Sequence, residues 1–220
     1  MKLKKIASLA LAGIMAVSML AGCKDGGNGN SGSSSENTST ASGYSAMLGQ
    51  KAAETLNKND LDEAFTFTDN ADNQKALKKV ITNNLVEANI ENLVHGINIC
   101  GAWATGDTGV TTDSDFRTEI KADGDIASMN KSYGQNTATF ANVWVANGEI
   151  SMDTVMAKVF EDMKTFIAAA EDNGKPNGLE LNYSYDVSVS VENKSVKYDT
   201  TKSGSVNFIA VTVTRTAEVV

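Results

Sequence analysis

The sequence predicts an α+β domain: an antiparallel sheet with one face covered by amphipathic helices. Three observations predict it. Met152, Val155, Met156, Val159, Phe160, Met163, Phe166, Ile167 and Ala170 recur at i, i+3, i+4 spacing, the apolar stripe of one long helix. Leu179, Leu181, Tyr183, Tyr185, Val187, Val189 and Val191 alternate with Glu180, Asn182, Ser184, Asp186, Ser188, Ser190 and Glu192, as in a strand dry on one face and wet on the other. Val206, Phe208, Ile209, Ala210, Val211 and Val213 then form a more uniformly apolar strand, suited to the sheet centre. Wet-faced strands of this length belong to antiparallel sheets, and the helices supply the covering layer in a two-layer arrangement.

Taken in order, Tyr44 to Lys58 reads as a helix with Tyr44, Met47, Leu48, Ala52, Thr55 and Leu56 on one face. Asn59-Asp60 breaks it, and Asp60 caps a short second helix carrying Leu61, Ala64 and Phe65. Asp72 or Asn73 caps a longer helix with Leu77, Val80, Ile81, Leu85 and Ala88 at helical spacing, ending before His95-Gly96. Ile97, Ile99 and Trp103 suggest a strand. Phe116, Thr118 and Ile120 alternate with Arg117, Glu119 and Lys121 as a second strand, with Asp123-Gly124 as a tight hairpin turn. Residues 125–136 carry no clear pattern. Thr137 to Ala146, with Phe140, Val143, Trp144 and Val145, is a third strand, stopped by Asn147-Gly148. Ser151 is a good N-cap for the long helix, Asp153 complements its dipole, and Asn173-Gly174 with Pro176 ends it. Glu192 to Ser205 reads as a polar connection, and the last strand runs from Val206 to Thr216.

The N-terminus is of a different kind. Lys2, Lys4 and Lys5 precede a 15-residue apolar stretch, Ile6 to Leu20, and the run closes on Leu20-Ala21-Gly22-Cys23. The order of charge, apolar stretch and small residues matches an export signal, and the stretch falls short of the roughly 20 residues of a membrane span. Leu20-Ala21-Gly22-Cys23 resembles the lipobox of bacterial lipoproteins. The resemblance implies cleavage after Gly22, with Leu20, Ala21 and Gly22 as the signal-peptidase recognition residues. It also implies a thioether-linked diacylglycerol on Cys23, placing two or three acyl chains such as palmitate in the membrane. One acyl chain holds a protein only marginally, whereas two or more hold it stably.

Three segments follow: a signal peptide at 1–22, the lipidated cysteine and a tether at 23–43, and one domain at 44–220. Lys24 to Gly43 is Gly, Ser, Asn and Thr with scattered charge and only Ala41 apolar, which gains too little from burial to offset ordering. As a random coil its 20 residues reach about 25 Å. The remaining 177 residues suit one domain, able to bury roughly 70% of its unfolded surface.

The full sequence has a formal charge of −8, from 19 basic and 27 acidic residues. Without the leader's three lysines, 16 basic residues face 27 acidic ones, or −11. An acidic, exported protein argues against a nucleic-acid partner and against a polybasic hold on lipid, so anchoring falls to the lipid on Cys23. With Cys23 acylated, Cys100 is the remaining thiol and no internal disulfide forms; flanked by Ile99 and Gly101-Ala102, it reads as a small buried apolar residue.

Ala52 to Phe65, with its Asn59-Asp60 step, is similar to the opening of nuclear-transport-factor-like cone domains in bacterial lipoproteins. Thr137 to Val145, followed by a helix and a return to long strands, is similar to some of the same lipoproteins. The resemblance covers about a quarter of the domain and implies a cone-like sheet curled around a pocket; it carries over no catalytic residue. The helix after Ser151 and the segment 104–136 depart from that pattern.

Most catalytic chemistry lacks its residues. His95 is the sole histidine, and no nucleophile motif accompanies it. No zinc ligand set, phosphate-binding loop or dinucleotide fingerprint occurs, so no cofactor and no metal is expected. Asp107, Asp113, Asp115, Asp123 and Asp125 form an acidic, Gly-rich stretch; calcium binding and turn formation both explain it, although the spacing fits no EF-hand loop. Asp186 and Glu180 lie on the wet strand face, and Trp103 and Trp144 read as core rather than sugar platforms. The resulting expectation is a lipid-anchored cell-surface module that binds an envelope protein or a small ligand without catalysis. A small hydrolase or isomerase using Asp, Glu and Tyr, and a structural envelope protein, are the alternatives.

Overall fold

The computed structural model describes residues 43–56, 64–84, 101–102, 112–131, 134–197 and 203–220. Four helices are described: α1 (Tyr44–Thr55), α2 (Ala71–Asn84), α3 (Thr112–Ile120) and α4 (Met152–Ala168). Six strands form one sheet: β1 (Phe65–Phe67), β2 (Gly101–Ala102), β3 (Ala138–Asn147), β4 (Asn173–Gly174), β5 (Leu181–Lys197) and β6 (Ser203–Val219). Their order is β1-β5-β6-β3-β2, with β4 also on β5. All pairings are antiparallel except β1 with β5. The class is α+β, as the alternating strands and amphipathic stripes require.

The helices cover both faces of this sheet rather than one. On one face Phe140, Trp144, Tyr183, Tyr185, Val187, Ile209 and Val211 pack against Leu48 and Ala52 of α1 and against Val155, Met156, Val159, Phe160, Met163 and Ile167 of α4. On the other, Ala141, Val143, Val145, Val206, Phe208 and Ala210 pack under Leu77 and Ile81 of α2 and Phe116 of α3. The cause is written in β3 and β6, which are apolar at odd and even positions alike, as strands buried on both faces are. The face that a cone would hollow out is filled by Trp144, Phe160 and Met163, each at most 3% exposed.

The hairpin of β5 and β6 is the spine. Its register pairs Leu181 with Val219 at one end and Lys197 with Ser203 at the other. The strands therefore run through most of the segment expected to be a polar connection, since a two-stranded ribbon beyond the core can stay polar on both faces. In β5, Asn182, Ser184 and Asp186 are exposed as the alternation predicts, but Ser188 and Ser190 are buried, with α2 lying along this part of the strand. There Asn73 Nδ2 donates to Ser188 Oγ at 2.9 Å.

Three further expectations change. The alternating segment at 116–121 is helix α3, with Asp113 and Asp115 in its first turn and Arg117 one turn after Asp113. It ends at Lys121 in a left-handed conformation (φ 57°), and Gly124 bridges in parallel to Phe140 instead of turning a hairpin. Phe65 lies in strand β1, stacked on Tyr185 with ring centroids 4.6 Å apart, and not in a short helix. Helix α2 is capped two to three residues earlier than expected, by Asn70, whose Oδ1 accepts from the amides of Asp72 and Asn73. Ser151 caps α4 as expected, accepting from Thr154 N at 3.4 Å. Between α3 and β3, a short turn of 3₁₀ helix (Ile126–Ser128) buries Ile126 and Met129 against the α4 side.

Beyond the short strands β1 and β2, the outer sides of β5 and β3 are capped at several points. Along β5, Tyr185 N donates to Ala64 O, Val187 O accepts from Thr68 N, and Val189 N donates to Ser45 Oγ at 2.9 Å. At Val191 the Gln74 amide group does what a neighbouring strand would do: its Oε1 accepts from Val191 N at 3.0 Å and its Nε2 donates to Val191 O at 2.9 Å. Along β3, Thr139 N donates to Asp123 Oδ2, Ala141 N to Gly124 O, and Val143 N to Asp113 Oδ1. Unpaired edge amides invite further strands, and these contacts remove them.

Candidate functional site

Leu20, Ala21, Gly22 and Cys23 lie outside the described residues, as do residues 24–42 of the tether, His95, Cys100, Trp103 and Asp107. Among the described residues no helix is long and apolar enough to cross a membrane. The chemistry that can be located sits in three places.

The first is Asp113, at 6% exposed the one buried carboxylate among the described residues. Helix α3 presents it to the β3 edge, where Oδ1 accepts from Val143 N at 2.8 Å and from Asn142 Nδ2 at 3.3 Å, and Oδ2 pairs with Arg117. Burial pushes its pKa above the usual carboxylate range, and the Val143 amide, Arg117 and Asn142 offset that only in part. Asn142 extends the node by accepting from Ile126 N through Oδ1 at 2.9 Å. Both carboxylate oxygens thus face protein donors. This is the chemistry of a structural plug.

The second is Arg215 of β6, 3% exposed. Its guanidinium lies over the rings of Phe140 and Tyr183, 5.6 and 5.5 Å from their centroids, and Nη1 donates to Met129 O at 2.9 Å. It ties the 126–131 segment to the sheet. Arg215 falls inside the last strand expected from the sequence, Val206 to Thr216, and the register shows that it points into the α1/α4 layer.

The third is an open groove of about 360 Å³ between α2 and α3, lined by Asp72, Asn73, Lys75, Ala76, Lys79, Glu119 and Ile120. Its charges pair internally: Lys75 with Asp72 at 3.1 Å and Lys79 with Glu119 at 2.7 Å. Solvent-exposed pairs of this kind hold little energy and can exchange for a partner's charges.

The remaining sequence candidates are scattered. Of the acidic stretch, Asp113 and Asp123 commit oxygens to backbone amides of β3, and no group of three His, Cys, Asp or Glu is arranged to hold a metal among the described residues. Asp186 is exposed and accepts from Thr66 Oγ1, while Glu180 pairs with Lys175. Trp144 is core, as expected, with its indole Nε1 donating to Asp162 Oδ2 at 3.2 Å. The structure brings none of Asp186, Glu180 and Trp144 together in one cleft. No family model, no curated protein and no solved structure matches this sequence.

Proposed function

We propose that the protein is a lipid-anchored cell-surface molecule whose α+β domain serves as a non-catalytic binding or accessory module. The observation that carries the reading is the N-terminal order: Lys2, Lys4 and Lys5, the apolar run from Ile6 to Leu20, then Ala21, Gly22 and Cys23. Cleavage after Gly22 leaves Cys23 as the lipid-bearing residue, and residues 24–43 tether the domain outside the cytoplasm, in an envelope of the single-membrane type.

A binding role is supported by how the charged groups are used. A small hydrolase or isomerase using Asp, Glu and Tyr needs two or more carboxylates in a cavity with raised pKa. The buried carboxylate described here is Asp113, and its oxygens already serve Val143, Asn142 and Arg117. The α2–α3 groove instead offers exchangeable surface charges beside Ala76 and Ile120. The filled core on both faces favours a second reading, a structural envelope protein without a small ligand.

The test is crosslinking of the full-length protein in living bacterial cells, followed by affinity capture. A partner that survives in wild type and is lost when Lys79 and Glu119 are both reversed in charge supports the binding reading. Capture of the bait alone, from cells in which it is fully membrane-bound, leaves the structural reading standing.

A further inference from the structure

Three asparagine–glycine steps fall among the described residues: Asn147-Gly148, Asn173-Gly174 and Asn177-Gly178. Such steps are chemically labile, because the glycine amide nitrogen has no neighbouring side chain to hinder its attack on the asparagine carboxamide carbon. In a folded protein the reaction also needs rotation about the asparagine ψ, so local hydrogen bonding decides which step reacts.

The three differ sharply. Gly148 N donates to Ser205 O at 2.8 Å, and Asn147 Oδ1 is held by Glu149 N at 2.9 Å. Ser205 also crowds Gly148, where an added Cβ would lie 2.9 Å from the Ser205 carbonyl carbon. Gly174 pairs with Leu181 in the β4–β5 ladder, and the Tyr183 ring lies against it, 2.9 Å from where a Cβ would stand. Neither step can turn without opening strand pairing. Asn177 and Gly178 are both exposed, in a 3₁₀ turn (Pro176–Gly178) outside the ladder. Asn177 sits left-handed at φ 54° and ψ 26°, Gly178 at φ 82° has open space on its Cα, and its amide makes only a 3.3 Å bond to Lys175 O.

We infer that Asn177-Gly178 is a site of spontaneous deamidation in the folded protein, set apart from two protected steps of identical sequence. The Gly178 nitrogen loses its proton to solvent base and bonds to Asn177 Cγ. The Asn177 Cγ–Nδ2 bond breaks and the nitrogen leaves as ammonia, closing a five-membered succinimide. Water then adds to one of the two imide carbonyls and the bond from that carbon to the Gly178 nitrogen breaks, the nitrogen regaining a proton, to give aspartate or isoaspartate at 177. Either product adds a negative charge to the loop where Lys175 pairs with Glu180, and isoaspartate adds a methylene to the backbone leading into β5. Position 177 therefore records the age of the folded molecule.

The experiment incubates the purified full-length protein in mildly alkaline buffer and maps aspartate and isoaspartate by peptide mass spectrometry, native and in urea. The native protein is expected to convert Asn177 at least about tenfold faster than Asn147 or Asn173, because a paired segment reacts only during local opening. In urea the three rates converge. A Gly178→Ala variant should react slowly at 177 in urea as well, where any change to the folded turn is irrelevant. Native conversion of Asn147 or Asn173 at the rate of Asn177, or a native Asn177 that stays intact while the urea-unfolded protein reacts, overturns the inference.

Discussion

Asp113 offers the sharpest test of how this sheet is closed. Its Oδ1 accepts from Val143 N at 2.8 Å in a buried position, while its Oδ2 pairs with an Arg117 side chain that is 26% exposed. The two halves of the interaction have different worth. A buried amide left without an acceptor costs about 1–3 kcal/mol, whereas a half-exposed ion pair contributes roughly 0–1 kcal/mol. Asp113→Ala removes both and is expected to cost about 1–4 kcal/mol, the sum of those ranges. Asp113→Asn keeps an oxygen for Val143 N and removes only the charge, so it should cost less than about 1 kcal/mol. For a domain of this size 1 kcal/mol moves Tm by about 2–4 °C, so thermal melts at neutral pH separate the two variants.

The pH dependence adds an independent check. The folded-state pKa of Asp113 lies above the ordinary carboxylate value of 3.8 because burial disfavours its charge. The folded state therefore holds this proton more tightly than the unfolded one, and the residue's contribution to stability falls as pH rises from the unfolded pKa through the folded one. Asp113→Asn cannot titrate there. Its stability relative to wild type should rise across that window and level off above it. If Asn is as damaging as Ala, or if the difference runs the other way with pH, the ion pair rather than the amide plug closes this edge.

Other expectations follow from the same geometry. Gln74→Ala leaves both backbone groups of Val191 without their partner and should cost about 1–3 kcal/mol, with concentration-dependent association by light scattering as the open edge recruits strands; a variant that stays monomeric and equally stable denies Gln74 that role. Phe160→Ala empties a 2% exposed site on the α4 face and should cost about 3–5 kcal/mol by chemical denaturation; a loss below about 1 kcal/mol would mean the core there is not close-packed. Arg215→Lys keeps the charge but loses the planar guanidinium over Phe140 and Tyr183, and should destabilise by about 1–2 kcal/mol; a lysine variant with unchanged Tm would show that charge alone suffices.

How much of this was legible varies with the length of each pattern. Helix α4 follows from nine apolar positions and a serine cap, and β5 from seven alternations; long periodic runs leave one interpretation. Phe116, Thr118 and Ile120 span only five residues, where period two competes with the i, i+4 relation of Phe116 to Ile120. The acidic first turn and the Asp113–Arg117 spacing were the deciding signals for α3. Strand β1 is three residues long, too short for any periodicity. The second helical layer was implied by Ala141, Val143 and Val145 alternating with Phe140, Trp144 and Ala146, all apolar, which only a strand buried on both faces tolerates. The plugs at Gln74, Ser45 and Asp113 had no sequence signature, because each joins residues 30 or more positions apart through a single side group. For the candidate site, the proposed anchor at Cys23 rests on a local four-residue motif, whereas the α2–α3 groove depends on the packing of two helices whose Lys79 and Glu119 stand 40 residues apart.

The membrane anchor is the claim on which the proposed function stands, and intact-mass and N-terminal peptide mass spectrometry of the protein from bacterial membranes tests it most directly. A mature protein beginning at Cys23, carrying a thioether-linked diacylglycerol and lost from the membrane fraction in a Cys23→Ala variant, is the result expected. A protein that retains Met1 to Gly22, or one cleaved there with a free thiol at Cys23, contradicts it.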